Sequence, residues 1–569
     1  MKKQAAVESV ADAYLELLSA RGIKYFFGNG GTDFGPIVDA YAKRMDSEAP
    51  VPTPITCPHE IPAMAMAHGY TMVTGEAQVV MVHTIAGTAN AVGGLINAIR
   101  SGVPMLFSAG RTPLTEGSAK GSRDGGIHWA QESFDQGSMV REWTKWDYEL
   151  RHGADVEGVV DRALAIAKSE PQGPVYLTLP REVLAEGQDS ITYTDDPRMQ
   201  PTDQVASPDL IQRAAEALAK AKNPILITRS GGKDPATVAQ LVRLAEAISL
   251  PVFDVAPTHM NFPHNHRLHQ GGDAMPYLDK ADVVVVLEND VPWTPKRNQP
   301  NDDATIIGIG ADPLYARYPV RGFPIDIALA GNVAKIMAAL ADAVVAAPKD
   351  AQAVAVRGNE WEGIHKKVRA EISSRGQKAK DLPVNDKAWL SYCMEQLRDE
   401  NTIIVNELGF DTPQFELTEP GSFFGVSVAG VLGWGIGAAL GAKLAAPDKT
   451  VVACVGDGSY MFGVPTAAHW ISNKYALPVL YIVWNNSQWG AVAQATRGVY
   501  PDGWAVKTKN MPFTDLGPAT DYDLAVQAIG GYGEKVTSPD QIPGALERAL
   551  HAVKVEGRQA LLNIIAPPR

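Results

Sequence analysis

Along most of the chain, short runs that are apolar or β-branched at successive positions alternate with longer stretches in which apolar residues recur at helical spacing. In the first third, residues 25–27, 78–83, 105–108 and 174–180 read as strands, and 5–20, 61–74 and 90–100 as helices between them. Strands apolar at every position belong to parallel sheets covered on both faces. A polar segment near 187–207, rich in Asp, Thr and Pro, reads as a linker. A second block follows, with strands at 224–228, 282–287 and 305–309 and helices at 236–247 and 332–343. A charged, alanine-rich connection reaching about residue 381 leads to a third block, whose clearest strands are 450–455 and 479–484. Three successive βα-alternating blocks predict an α/β protein of three doubly wound parallel-sheet domains, at 1–186, 205–347 and 380–569.

Composition narrows the class without naming a substrate. At 569 residues the chain is too long for one core, and 45% apolar with 20% charged residues suits a soluble globular enzyme. A net charge of −13 argues against nucleic-acid binding. Cys57, Cys393 and Cys454 are too few and too widely spaced for a disulfide framework or a zinc site. The N-terminus starts basic, but Glu8, Asp12 and Glu16 interrupt it, which fits an amphipathic helix better than a signal peptide. No apolar run approaches a membrane span. The expectation is a cytoplasmic protein.

Candidate chemistry concentrates in 452–492, which reads as strand, Gly-Asp-Gly turn, helix, strand and Asn-Asn turn. Asp457 and Asn486 then stand at the carboxyl ends of two strands, where open α/β sheets bind ligands. A carboxylate, an amide oxygen and nearby carbonyls suit Mg²⁺ that keeps part of its shell for phosphate. Glu60 precedes an apolar helix, where a glutamate also favours the helix dipole.

The GDG-to-NN segment resembles the thiamin diphosphate (ThDP) binding motif. HEIPAMAMAHGYTMVTGE, beginning at His59, resembles the HE…A…A.GYA…TG pattern of the same enzymes. FGNGGTD (27–33) is similar to the FGNPGS turn of benzoylformate decarboxylases, HTIAGTANA (83–91) to their HSAAGTGNA, WTKWDYE (143–149) to their LVKWSYE, and FPHNH (262–266) to their FPTRH. The resemblance spans nearly the whole chain and implies ThDP and Mg²⁺ as cofactors, with a pyrimidine-binding, a central and a diphosphate-binding domain. Glu60 would hydrogen-bond the aminopyrimidine ring and so promote loss of the thiazolium proton. His83 would donate and accept protons, with His266 as the second active-site histidine. Thr32, beside Gly31, would touch the substrate carboxylate. Asp457, Asn486 and the Gln488 carbonyl would hold the metal. Gly409, Gly458 and Ser459 would border the cofactor, Leu432 would force its bend, and the Gly430 carbonyl would accept from its amino group. The same resemblance implies a homodimer or homotetramer, with Glu60 and the metal ligands coming from different subunits.

The residues that select the reaction are mixed. Val492 stands where pyruvate decarboxylases carry a glutamate, and their paired histidines are absent after Gly110. Ala130-Gln131-Glu132 resembles the FQE of acetolactate synthases, making Gln131 a candidate, and 173–183 resembles their GPVHLDIPKDV. Their tryptophan is replaced by Ala495 and their GPG by Ala86-Gly87-Thr88. Ala491, Val492 and Ala495 would leave an apolar pocket for a bulky or aromatic 2-oxo acid. The expected activity is decarboxylation of such an acid, with carboligation to a 2-hydroxyketone when an aldehyde is present. Acetolactate synthase-like ligation is the alternative. An FAD-containing pyruvate oxidase fits less well, because Val291-Pro292-Trp293-Thr294 does not match the flavin-binding GARFDDR pattern.

Overall fold

The structure is a computed structural model and describes residues 1–568. Three wholly parallel sheets carry the fold. In the first, the spatial order is Thr53–Thr56, Tyr25–Gly28, Gln78–Val82, Met105–Arg111, Pro174–Pro180 and Asp147–Glu149. The third runs Phe423–Gly425, Thr402–Glu407, Thr450–Gly456, Val479–Asn485, Ala560–Ile565 and Tyr532–Val536. The two share one strand order although their residues differ. The middle sheet has five strands: Val252–Asp254, Pro224–Thr228, Val283–Leu287, Thr305–Gly310 and Ile327–Ala330. Central strands such as Gln78–Val82 and Val479–Asn485 are buried at every residue, which is why their apolar runs are continuous.

Several elements depart from the pattern read in the sequence. Residues 5–20 are not one helix. Lys2–Ala6 is a strand, and the helix begins at Val10, where the Ser9 side chain accepts from the Asp12 amide. That strand pairs antiparallel with Ser190–Thr194, so the expected linker supplies part of a two-stranded sheet. The alanine-rich connection is largely one 28-residue helix, Ala351–Lys378, capped by Asp350. It buries only Arg357, Gly358, His365 and Gly376, so it offers no apolar stripe to read. Helix Thr84–Arg100 starts six residues before the expected 90, immediately after His83. The GDG segment is not a free turn, since a helix starts at Asp457 itself. That helix breaks at Gly463-Val464, where Val464 takes φ 54°, and resumes as Pro465–Lys474. A short strand, Phe423–Gly425, precedes the glycine-rich 430–437 segment.

The chain forms two compact units. One comprises residues 1–202, 426–447 and 459–477; the other comprises 203–425, 448–458 and the chain from 478 onward. Inside the first, helices Glu60–Thr74 and Trp434–Ala445 meet through glycines. A Cβ at Gly69 would lie 2.1 Å from the Ala438 carbonyl oxygen, at Gly437 2.6 Å from the Ala65 Cβ, and at Gly441 2.0 Å from the Met66 carbonyl oxygen. This contact matters for the site, because Glu60 opens one helix and the 430–432 segment leads into the other. Among the described residues, no helix is long and apolar enough to cross a membrane.

The packing yields a direct test. Gly441→Ala forces a methyl group onto a backbone oxygen and should cost about 1–3 kcal/mol, read as a lower denaturant midpoint for the full chain. An unchanged midpoint would show that the two helices do not meet this closely.

Candidate functional site

In the first unit, strands Tyr25–Gly28 and Gln78–Val82 are parallel neighbours, so the segments leaving their carboxyl ends lie side by side. One is the turn through Gly31 and the short 3-10 helix Thr32–Phe34; the other begins with His83, which caps helix Thr84–Arg100. His83 Nδ1 lies 2.5 Å from Asp33 Oδ1, and Nε2 lies 3.1 Å from Gln131 Oε1. Asp33 is 3% exposed, and its other oxygen has no hydrogen-bond partner. Two glycines make room for the pair. A Cβ on Gly31 would fall 2.1 Å from His83 Nδ1, and one on Gly110 would fall 1.7 Å from Asp33 Oδ2. The hydrogen bond that His83 donates to Asp33 raises the His83 pKa above the ordinary histidine value, against the opposing effect of burial, and Gln131 and the charges of Asp33 and Glu60 add to the rise. Thr32 is exposed beside this cluster.

Glu60 is the first residue of its helix and only 6% exposed. Its Oε2 accepts from Asn90 Nδ2 at 3.2 Å, and Gly87 leaves the space in front of Oε1. His59 caps the same helix by accepting from the Ile61 amide. Two turns beyond Asn90, Asn97 fastens the 426–433 segment: its Oδ1 accepts from Ser427 Oγ and the Val431 amide, and its Nδ2 donates to the Val431 carbonyl. Gly430, at φ 61°, is exposed, and Leu432 is half-buried.

In the second unit, strands Thr450–Gly456 and Val479–Asn485 are parallel neighbours, with Gly456 paired to Trp484. Asp457 therefore emerges beside Asn486. Oδ1 of Asp457 accepts from the Gly458 amide at 2.8 Å, and the Ser487 and Gln488 amides also donate to the carboxylate. Burial nonetheless outweighs those donors and raises the Asp457 pKa, while Oδ2 is buried without a partner. A cation at that oxygen would relieve the cost. Asn486 is buried, and the Gln488 carbonyl accepts from the Gly490 amide. Gly458 is needed by the Trp489 ring, which a Cβ would approach to 2.2 Å. Gly409 donates to Asn406 Oδ1, and a Cβ there would lie 2.3 Å from Cys454 Sγ. Ser459 is buried.

Other candidates stand apart. Ala491, Val492 and Ala495 are exposed on helix Gly490–Val499, whose only buried residue is Ala493. His266 lies 3.3 Å from Glu246, accepts from the Leu268 amide and packs edge-on to Phe262, so its neighbours are central-block residues. Burial lowers its pKa. The side chain of this cluster that the sequence reading missed is Asp33, which contacts His83. Its one signal was its place in the turn after a strand, level with the histidine after the next strand.

Family models match along the chain: the N-terminal TPP binding domain of the thiamine pyrophosphate enzymes over residues 8–139, their central domain over 211–340, and their C-terminal TPP binding domain over 409–563. The chain belongs to the thiamine pyrophosphate enzyme family, within the group that includes benzoylformate decarboxylases and acetolactate synthases. It is 25% identical to benzoylformate decarboxylase of Pseudomonas aeruginosa over 562 residues, covering 96% of this chain and 97% of that one. It is 26% identical to a probable acetolactate synthase large subunit of Methanocaldococcus jannaschii over 583 residues, covering 98% and 92%. The fold is shared with the ThDP-dependent 4-hydroxybenzoylformate decarboxylase of Rhodococcus jostii, with a TM-score of 0.76, 24% identity and 99% of both chains covered. Benzoylformate decarboxylase from Polynucleobacter necessarius gives a TM-score of 0.79 at 21% identity, again over 99% of both chains.

Asn97→Leu should release the 426–433 segment, since the lost bonds are worth about 1 kcal/mol each. Limited proteolysis of the full chain should then cut there faster; unchanged cleavage would mean that something else holds the segment.

Proposed function

We propose that the protein binds ThDP with Mg²⁺ and decarboxylates a bulky or aromatic 2-oxo acid, releasing an aldehyde and forming a 2-hydroxyketone when an acceptor aldehyde is supplied. The observation that carries this reading is the buried, partnerless Oδ2 of Asp457 next to the Asn486 turn, an oxygen that a cation would satisfy. Asp457, Asn486 and the Gln488 carbonyl would hold Mg²⁺, with Gly458 and Ser459 bordering the diphosphate. ThDP, when bound, supplies the carbon nucleophile and electron sink that side chains lack.

The chain's own residues do the rest. Glu60, already accepting from Asn90, offers its second oxygen to the aminopyrimidine ring. Leu432 and the Gly430 carbonyl lie on the segment fixed by Asn97. His83 presents Nε2 as the proton-exchanging atom, and the exposed Thr32 hydroxyl is free to meet a substrate carboxylate. Ala491, Val492 and Ala495 would accommodate bulk. The working unit in this reading is a homodimer or homotetramer with the site completed at the subunit interface. Exposed apolar side chains along 492–513, including Val492, Val499, Tyr500, Trp504 and Phe513, favour such a contact. Acetolactate synthase-like ligation is the second reading, supported by Gln131 standing on His83 in the segment that resembles the FQE of those enzymes.

The test is incubation of the full chain with ThDP, Mg²⁺ and 2-oxo acids of increasing bulk, scoring aldehyde against 2-hydroxyketone. Aldehyde from aromatic acids is expected; 2-hydroxyketone from pyruvate alone would favour the second reading. Glu60→Gln should lower turnover at least about 100-fold, and retained activity would defeat the proposal. ThDP with Mg²⁺ at about 100 times its dissociation constant should stabilise the wild type by about 2.7 kcal/mol. Asp457→Asn should lose most of that gain, read as the thermal midpoint with and without both ligands.

A further inference from the structure

The Asp33–His83–Gln131 arrangement goes beyond the usual question of whether a histidine is present. Both ring nitrogens of His83 face oxygens, Asp33 Oδ1 at 2.5 Å and Gln131 Oε1 at 3.1 Å. With the Gln131 amide turned so that its oxygen faces Nε2, a neutral imidazole, having one N–H, leaves one of those oxygens facing a lone pair, whereas an imidazolium satisfies both. Asp33 is buried and has its second oxygen enclosed against Gly110, so its charge is poorly screened by water. The pocket is shaped for this pair, because neither Gly31 nor Gly110 can carry a Cβ while it is formed.

We propose that Asp33 is a positioning residue that holds His83 as an imidazolium, so that the site keeps a resident proton donor and turnover is biased toward protonation at carbon over carbon–carbon ligation. This inference rests on the ThDP decarboxylase reading. Conversion of a 2-oxo acid anion to an aldehyde and CO₂ consumes one proton overall. Here the His83 Nε2–H bond breaks as a C–H bond forms at the carbon that lost CO₂, leaving a neutral imidazole that solvent recharges. Ligation also consumes a proton, but delivers it to the new alkoxide oxygen. A proton held ready at His83 therefore competes with the acceptor aldehyde for the same carbon.

The charged groups facing His83 are Asp33, from the turn after Tyr25–Gly28, and Glu60, from the helix it begins; Gln131 is neutral. Both carboxylates favour the imidazolium, and burial opposes it. The sign follows: donor function is present at low pH and is lost as pH rises through the raised His83 value. Asp33→Asn should bring that loss to lower pH.

The experiment measures the charge of His83 directly. Diethylpyrocarbonate acylates only neutral imidazole, so the pH dependence of its labelling of His83, read by peptide mass spectrometry on the full-length holoenzyme, reports the titration. The wild-type midpoint is expected above the ordinary histidine value of about 6.5, and the Asp33→Asn midpoint below that of the wild type. In the same variant the alkaline limb of kcat should move down by the same amount. The ratio of 2-hydroxyketone to aldehyde, measured with added benzaldehyde, should rise several-fold. A wild-type midpoint at or below about 6.5, or equal midpoints in the two proteins, would overturn the proposal. The wild-type midpoint decides alone if the variant does not fold. A raised wild-type midpoint in a protein that turns over no 2-oxo acid would overturn the functional reading while upholding the charge state of His83.

Discussion

A carboxylate taken out of water has to be met by donors, a proton or a cation, or it costs the fold several kcal/mol. Three buried carboxylates organise this protein, and each is met differently. Asp33 faces an imidazole, Glu60 a helix start and an asparagine amide, and Asp457 three backbone amides on one side and nothing on the other. Asp33 and Asp457 each keep one buried oxygen without a partner, the first enclosed against Gly110 and the second beside the Asn486 turn, while Glu60 keeps one oxygen free of Asn90.

The parallel sheets explain how each unit brings its own groups side by side. In the first and third blocks the informative residues leave neighbouring strands at their carboxyl ends, so a register fixed by backbone hydrogen bonds sets Asp33 beside His83 and Asp457 beside Asn486. Close approach then depends on residues without side chains. Gly31 and Gly110 admit the Asp33–His83 pair, Gly458 admits the Trp489 ring, and Gly69, Gly437 and Gly441 let two helices touch. Membership of the thiamine pyrophosphate enzymes accounts for the shared frame, while the Asp33 contact is read from this chain's own geometry.

Much of this was legible in the sequence. Continuous apolar runs located strands in all three sheets, though in the third only 450–455 and 479–484 and not Thr402–Glu407 or Ala560–Ile565, and the turn and helix motifs drew attention to Glu60, His83 and Asp457. What escaped did so for physical reasons. Helix Ala351–Lys378 buries too few residues to show a period, and Lys2–Ala6 becomes a strand only because 190–194 pairs with it. Asp33 was visible in the FGNGGTD turn, but the side chain it contacts lies fifty residues away. For His266 the contacts made within the chain are Glu246, Leu268 and Phe262.

The central claim is that a buried glutamate activates ThDP for attack on a 2-oxo acid. The most direct measurement is the rate at which the thiazolium C2 proton of bound ThDP exchanges with deuterium, followed by proton NMR after acid quench. The account predicts exchange much faster on the wild-type holoenzyme than in free ThDP, and a return toward the free rate in Glu60→Gln. Exchange on the wild type no faster than in free ThDP, or equally fast in the variant, would contradict it.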